Sequence, residues 1–281
     1  MSRRLLALLC VVNGLFLALL GQAPVQAQQS TEALAAAAQN PVAAMSSLPF
    51  QNNSYFGAGP NHNQSANVLN IQPVLPFTVG DWNIISRTIA PLISLPSITA
   101  GLEDITTAAP SSGDPFGLGD INQTFYFSPA ASSAFIWGLG PSFTFPTATN
   151  RNLGSGKFSV GPGAVGLMMP KPWVVGLLAR QLFSVAGSPG RADVNQTLLQ
   201  PLVNYNMADG WYLVSSPIIT TNWNADSSDR WNVPLGGGIG KIFRVAGKPL
   251  NASFQAFDYV AHPAAGPRWT IRFQLQFLFP R

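Results

Sequence analysis

Near its C-terminus the sequence reads Trp269-Thr270-Ile271-Arg272-Phe273-Gln274-Leu275-Gln276-Phe277-Leu278-Phe279. Trp269, Ile271, Phe273, Leu275, Phe277 and Phe279 share one parity. Thr270, Arg272, Gln274 and Gln276 share the other, followed by Leu278. A period of two is that of a β-strand, whose successive side chains point to opposite faces. Two surroundings satisfy such a strand. In a soluble sandwich the aromatic face is core and the Arg/Gln face meets water. In a membrane barrel the aromatic face meets lipid and the polar face lines the lumen. This strand alone fits both.

Composition narrows the choice. Charged residues make up 9% of the chain, against about 25% in ordinary soluble domains. Yet beyond the N-terminus the longest apolar run is Trp173–Ala179, far short of the roughly 20 residues of a spanning helix. At the N-terminus, Arg3 and Arg4 precede the apolar stretch Leu5–Leu20, and Val25-Gln26-Ala27 offers a cut site. Residues 1–27 therefore read as a signal peptide, with cleavage expected after Ala27. Cys10, the sole cysteine, falls inside that leader behind Leu9, where a lipoprotein cut needs a small residue. The remaining chain has no thiol for a disulfide or a nucleophile. Two of its +4 net charges are Arg3 and Arg4, and no basic run points to nucleic acid.

Residues 28–50 form a segment apart. Thr31 to Ala38 favour a helix, which Pro41 limits. Residues 51–281 read as an antiparallel transmembrane β-barrel of about twelve strands, near 52–60, 66–78, 81–96, 119–128, 133–147, 157–168, 172–186, 194–207, 211–223, 231–243, 250–260 and 268–279. The connections alternate. Short turns fall at Thr78-Val79-Gly80, Ser128-Pro129-Ala130, Met169-Pro170-Lys171, Ala208-Asp209-Gly210 and Ala246-Gly247-Lys248. Longer loops fall at 61–65, 97–118, 148–156, 187–193, 224–230 and 261–267. Outer-membrane barrels have short periplasmic turns and longer external loops, a sorting for which a soluble sandwich has no reason.

Tryptophan placement agrees. Trp211 and Trp223 share a face, roughly 40 Å apart along a strand, or roughly 28 Å in height when tilted by about 45°. Trp269 and Phe279 give roughly 23 Å. Trp82, Trp173 and Trp231 also stand at expected strand starts. These residues are the expected aromatic girdles, ring body in hydrocarbon and N–H in water. The other face carries Gln200 and Asn204, Asn251 and Gln255, Gln274 and Gln276. Arg87, Arg180 and Arg272 fall mid-strand. An arginine facing mid-membrane lipid costs about 2–4 kcal/mol, so these should line the pore. Most acidic residues instead sit in loops or at strand ends, and the lumen should carry positive potential. The competing possibility is that the arginines brace the wall by pairing with Asp120, Asp258 or the N-terminal segment. Residues 28–50 are expected at the periplasmic mouth, in space left by inward glycines.

Other motifs fail on inspection. In Gly236-Gly237-Gly238-Ile239-Gly240-Lys241 the first glycine of a phosphate loop is replaced by Leu235 and its Ser/Thr by Ile242. Gly236, Gly238 and Gly240, like Gly138 and Gly140, read as inward strand residues. His62 and His262 are the only histidines and lie in separate loops, His262 with no evident partner. That is too few ligands for zinc and no Ser/His pair. No catalytic residue, metal or cofactor is expected.

The chain also resembles a known family. The residues that carry this are Gln39-Asn40-Pro41-Val42-Ala43, Leu48-Pro49-Phe50-Gln51-Asn52-Asn53, Leu69-Asn70-Ile71-Gln72-Pro73-Val74, Trp82-Asn83-Ile84-Ile85-Ser86-Arg87-Thr88, Gly117-Leu118-Gly119-Asp120-Ile121, Leu199-Gln200-Pro201, Pro234-Leu235-Gly236-Gly237-Gly238 and the closing strand. Together they resemble bacterial outer-membrane transporters grouped with the phenol-degradation MetA-pathway proteins, often mislabelled neuromedin U. The resemblance implies a barrel in a Gram-negative-type outer membrane that moves small organic compounds, aromatic ones included. Assembly signals of such barrels end on an aromatic residue, whereas here Phe279 is followed by Pro280 and Arg281. The expected function is a passive pore or facilitated-diffusion channel for small organic, aromatic or anionic solutes. Its expected partners are outer-membrane lipids, the barrel assembly machinery and an unidentified solute, with no nucleic acid. The rivals are a closed structural barrel, an outer-membrane lipid-modifying enzyme and a soluble secreted binding protein.

Overall fold

The structure is a computed structural model that describes residues 30–95, 115–131 and 133–280. The expected leader with Cys10, and Glu103 and Asp104 of the 97–118 loop, lie outside the described residues. One helix, α1 (Thr31–Gln39), precedes fifteen strand segments. These are β1 (Ser46–Ala58), β2 (Gln64–Ile71), β3 (Val74–Val79), β4 (Trp82–Ser94), β5 (Phe116–Leu118), β6 (Ile121–Pro129), β7 (Phe135–Phe145) and β8 (Lys157–Met168). There follow β9 (Trp173–Gly187), β10 (Asn195–Asn206), β11 (Trp211–Ser215), β12 (Ile219–Asn222), β13 (Trp231–Val245), β14 (Lys248–Ala261) and β15 (Trp269–Phe279).

Three pairs of segments, β2/β3, β5/β6 and β11/β12, each form one stave, so the closed antiparallel barrel has twelve. Each stave pairs with its neighbours in sequence, and β15 pairs β1 to close the ring, from Ser46↔Phe279 to Phe56↔Trp269. Closure gives every strand two partners, which removes the exposed edge that lipid cannot satisfy. The interruptions have local causes. Gln72-Pro73 separates β2 from β3, Gly119-Asp120 separates β5 from β6, and Ser216-Pro217-Ile218 separates β11 from β12. Proline has no N–H to give a ladder.

The short connections gather at one end of the barrel with β1's start and β15's finish; the longer ones gather at the other. The first strand differs from expectation. Residues 46–50, read as the end of the N-terminal segment, are the beginning of β1. Pro49 lies inside that strand. It is tolerated because its carbonyl, which accepts from Gln72 N at 2.9 Å, still serves the ladder. Among the described residues no helix is long and apolar enough to cross a membrane.

Parity sorts the two faces. Phe127, Leu139, Leu177, Leu213, Leu235 and Phe273 are exposed on the outer surface. Inward residues are buried, and they divide by height. Tyr55, Ala66, Val68, Ile93, Leu95 and Tyr259 pack around Leu153 of the 146–156 loop, which covers the loop end. Ile85, Tyr126, Val165, Leu167, Val174, Leu178, Leu198 and Ile218 pack around Val42 of the N-terminal segment. The barrel is thus filled from both ends by its own chain.

Candidate functional site

The N-terminal segment enters the turn end. Ser30 caps α1, its hydroxyl accepting from Ala33 N at 3.2 Å, and the alanines carry the helix to Gln39. Asn40 then leaves helical geometry, and its side-chain oxygen accepts from Val42 N at 3.0 Å. This short turn redirects the chain into the lumen. Leu34 and Ala35 pack on Tyr212, Val214 and Ile242. Gln39 and Asn206 exchange amide hydrogen bonds of 2.8 and 3.3 Å. Two inward glycines make room. A Cβ on Gly138 would lie 3.0 Å from Val42 Cγ1, and one on Gly240 would overlap the Tyr212 phenol. The space expected beneath these glycines is therefore occupied.

Between this segment and the wall lies a cavity of about 160 Å³. Of the expected pore-lining residues, Arg87, Gln200, Asn204, Asn251, Gln255, Gln274 and Gln276 all border it. Tyr212 donates to Asn251 Oδ1 at 2.6 Å, and Asn251 donates to Gln276 Oε1 at 3.1 Å. Arg87 donates to Gln72 Oε1 at 2.9 Å. A second cavity of about 30 Å³ adjoins, sharing Gln51, Gln72, Arg87, Leu178 and Gln200 and adding Arg180 and Tyr126. A third, about 10 Å³, shares Ile89, Asn122 and Arg180 with the second and reaches Asp120. Asp120 also borders a cavity of about 290 Å³ among the outer loops, with Arg151 and Arg191.

Arg272, unlike Arg87 and Arg180, borders none of these four cavities. It is inward but only 1% exposed. Its Nε donates to Asn53 Oδ1 and its NH1 to Ser216 O, each at 2.8 Å, with the guanidinium 4.9 Å from the Phe257 ring centre. The break between β11 and β12 frees the Ser216 carbonyl for that bond. Arg272 braces the wall through Asn53 and Ser216 rather than through the acids considered from sequence. Asp258 is exposed on the outer face. Asp120 accepts from Ala148 N, Ser155 N and Ser155 Oγ at 3.2, 2.7 and 2.8 Å. Gln51, Gln72 and Tyr126 are lining residues that the sequence reading did not place in the lumen, and Asp120, weighed there only as an arginine partner, lines it too. Parity would have found Gln51 had β1 been started early enough.

The residues expected to form the girdles stand at the two ends of the barrel. Trp82, Trp173, Trp211 and Phe279 are at the turn end, and Trp223, Trp231 and Trp269 at the loop end. Trp137, not named from sequence, packs edge-on to Trp82 at 6.0 Å. Lys241 lies 4.5 Å over Trp211, and Arg230 lies 5.8 Å over Trp223. His62 and His262 are not isolated: their rings meet at 6.1 Å, and each Nδ1 contacts a backbone carbonyl. Among the described residues no group of three or more His, Cys, Asp or Glu could hold a metal ion. At the loop end Lys157 meets Asp193 at 2.9 Å. The hydrogen bonds from Lys157 and Ser184 hold the Asp193 carboxyl below the usual carboxylate range.

Comparison with known proteins gives a fold. No family model matches, and no curated protein matches. Among solved structures, an outer-membrane channel from Pseudomonas putida F1 superposes with a TM-score of 0.59 at 17% identity, over 84% of this chain and 94% of that one. Outer membrane phospholipase A from Escherichia coli gives 0.43 at 10% identity, over 84% and 89%. A FadL homologue from Pseudomonas aeruginosa gives 0.41 at 9% identity, over 86% and 92%. The chain shares the barrel fold of the first, strand closure included.

Proposed function

We propose that this chain is an outer-membrane channel for small organic solutes, with its turns and termini in the periplasm and its loops outside. The observation that carries this reading is the succession of cavities along the barrel interior. They share Arg87, then Arg180, then Asp120, running from the N-terminal segment to the outer loops. A barrel that served only as a scaffold has no need of buried amides and guanidiniums in contiguous space, since burying them costs free energy that an apolar filling avoids. The exposed apolar outer surface and the two aromatic girdles support a membrane location. The likeness in fold to an outer-membrane channel agrees with it. In this reading the chain is not an enzyme. Its interior offers hydrogen-bond donors and acceptors beside apolar walls, which suits polar and aromatic solutes together.

The N-terminal segment is a restriction at the periplasmic mouth. The purified chain, reconstituted in liposomes, should admit small organic solutes at a rate above protein-free vesicles. Channel events should appear in planar bilayers, with anions favoured and the preference shrinking at high salt. Uptake equal to that of empty vesicles would leave the closed structural barrel as the correct reading.

A further inference from the structure

We propose that Arg87 and Arg180 form a recognition site for the carboxylate of a small organic acid, midway along the barrel. For its role in transport the proposal rests on the channel reading; as a binding site it stands alone. The two residues come from β4 and β9, four staves apart in the ring of twelve, and both border the cavity of about 30 Å³. The same wall carries Gln51, Gln72, Asn122, Thr124 and Gln200. Two guanidinium forks match the lone pairs of a carboxylate, and bonds in which both partners are charged are the strong ones. Arg87 is held by Gln72 and by the Tyr126 phenol, which orient the fork, and a guanidinium carries five N–H donors in all. Among the described residues lining these four cavities the only carboxylate is Asp120, and it borders those toward the loop end. Its oxygens are engaged by Ala148 and Ser155.

The shape of the space sets the class of ligand. The smaller cavity takes a head group. The adjoining cavity of about 160 Å³ shares Arg87, Leu178 and Gln200 with it and has room for a ring-sized body. One side of this combined space is apolar, through Leu178, Leu198, Leu202 and Ile218. A cationic end beside an apolar wall selects a molecule with one negative head and a flat apolar body. A bare inorganic anion would use the arginines and leave that wall without a partner.

The probes are benzoate, benzyl alcohol as its neutral counterpart, and inorganic phosphate. Each is titrated by calorimetry and saturation-transfer NMR into the detergent-solubilised protein, with folding verified by heat-modifiable gel mobility. Benzoate should bind at least about tenfold more tightly than either other probe, and Arg87→Gln or Arg180→Gln should each remove about tenfold or more of that affinity while leaving benzyl alcohol unchanged. Arg87→Lys, which keeps the charge but loses the fork, should fall between. If Arg180→Gln does not fold, the half-buried Arg87 carries the test. Equal binding of benzoate and benzyl alcohol overturns the proposal, as does phosphate binding as tightly as benzoate, or insensitivity to Arg87→Gln. Benzoate binding without bilayer conductance would remove the channel reading and leave the site. Conductance without benzoate binding would do the reverse.

Discussion

The N-terminal segment offers the sharpest test, because the structure supplies the chemistry for locking it. A Cβ on Gly138 would stand 3.0 Å from Val42 Cγ1. In a disulfide the Cβ of one cysteine lies about 3 Å from the sulfur of the other. Val42→Cys with Gly138→Cys therefore places a sulfur where Cγ1 now sits, and the bond closes with shifts of a few tenths of an ångström at Tyr126 and Val165, whose atoms come within 3.3 and 3.4 Å of that Cβ. The sole native cysteine is Cys10, in the expected leader, so no other thiol competes. The opposite perturbation is Leu34→Ala. Leu34 is buried against Tyr212, Val214 and Ile242, and such truncations cost about 2–5 kcal/mol. If that cost falls on docking, the ratio of undocked to docked segment rises at least about 30-fold. Single-channel recording should show Leu34→Ala with longer or larger openings than the native chain. Adding the cysteine pair should abolish that gain when oxidised and restore it on reduction. Identical conductance in all forms, oxidised or reduced, would refute the idea that residues 31–45 restrict the pore.

Other outcomes follow from individual side chains. Arg272→Met leaves Asn53 Oδ1 and the Ser216 carbonyl without their donors, so the heat needed to unfold the barrel on gels should drop by an amount reflecting about 1–3 kcal/mol per lost partner, while ion selectivity stays native; altered selectivity with unchanged stability would reverse our assignment. Leu139 is exposed on the outer face at the middle of β7. Leu139→Arg should therefore lower folding stability in lipid vesicles by about 2–4 kcal/mol, whereas Gln274→Arg, on the inner face, should fold normally. The Asp193 carboxyl is depressed in the folded chain. The contribution of its tie to Lys157 is thus present above the unfolded carboxylate range and lost as pH falls through the lower folded value. Hydrogen exchange in residues 188–194 should be faster in Asp193→Asn than in the native chain at pH 6, and the difference should vanish in strong acid.

Much of this architecture was legible because membrane strands are read one residue at a time. Trp269 through Phe279 announced its faces by alternation alone, and the sorting of short and long connections gave the ends of the barrel. What escaped depends on contacts between distant residues. Arg87, Arg180 and Arg272 share an inward parity, and nothing local distinguishes them. Arg272 became a brace because Asn53 and the broken stave at Ser216 meet it. Arg87 and Arg180 instead border the cavities that run along the barrel. The onset of β1 escaped because residues 46–50 join the sheet through partners at the far end of the chain, Ser46 with Phe279 and Phe50 with Leu275. The meeting of His62 and His262 follows from the pairing of β1 with β15, which their loops do not encode.

That pairing has a consequence for how the molecule is made. Ser46 and Phe279 are partners, so the seam joins strands from opposite ends of the polypeptide, and the entropy of bringing such remote segments together must be met before the last ladder forms. Until then β1 and β15 each offer an unpaired row of N–H and C=O groups to any other strand, including those of a second unfinished copy. Biogenesis therefore has a vulnerable interval that ends only when the final stave arrives. The segment that fills the mouth is tethered directly to the first strand of that seam. Its docking onto β11 and β13 and beneath β7 links three stretches of wall across the lumen, so that a properly closed cylinder is also the one that its own N-terminal segment fits.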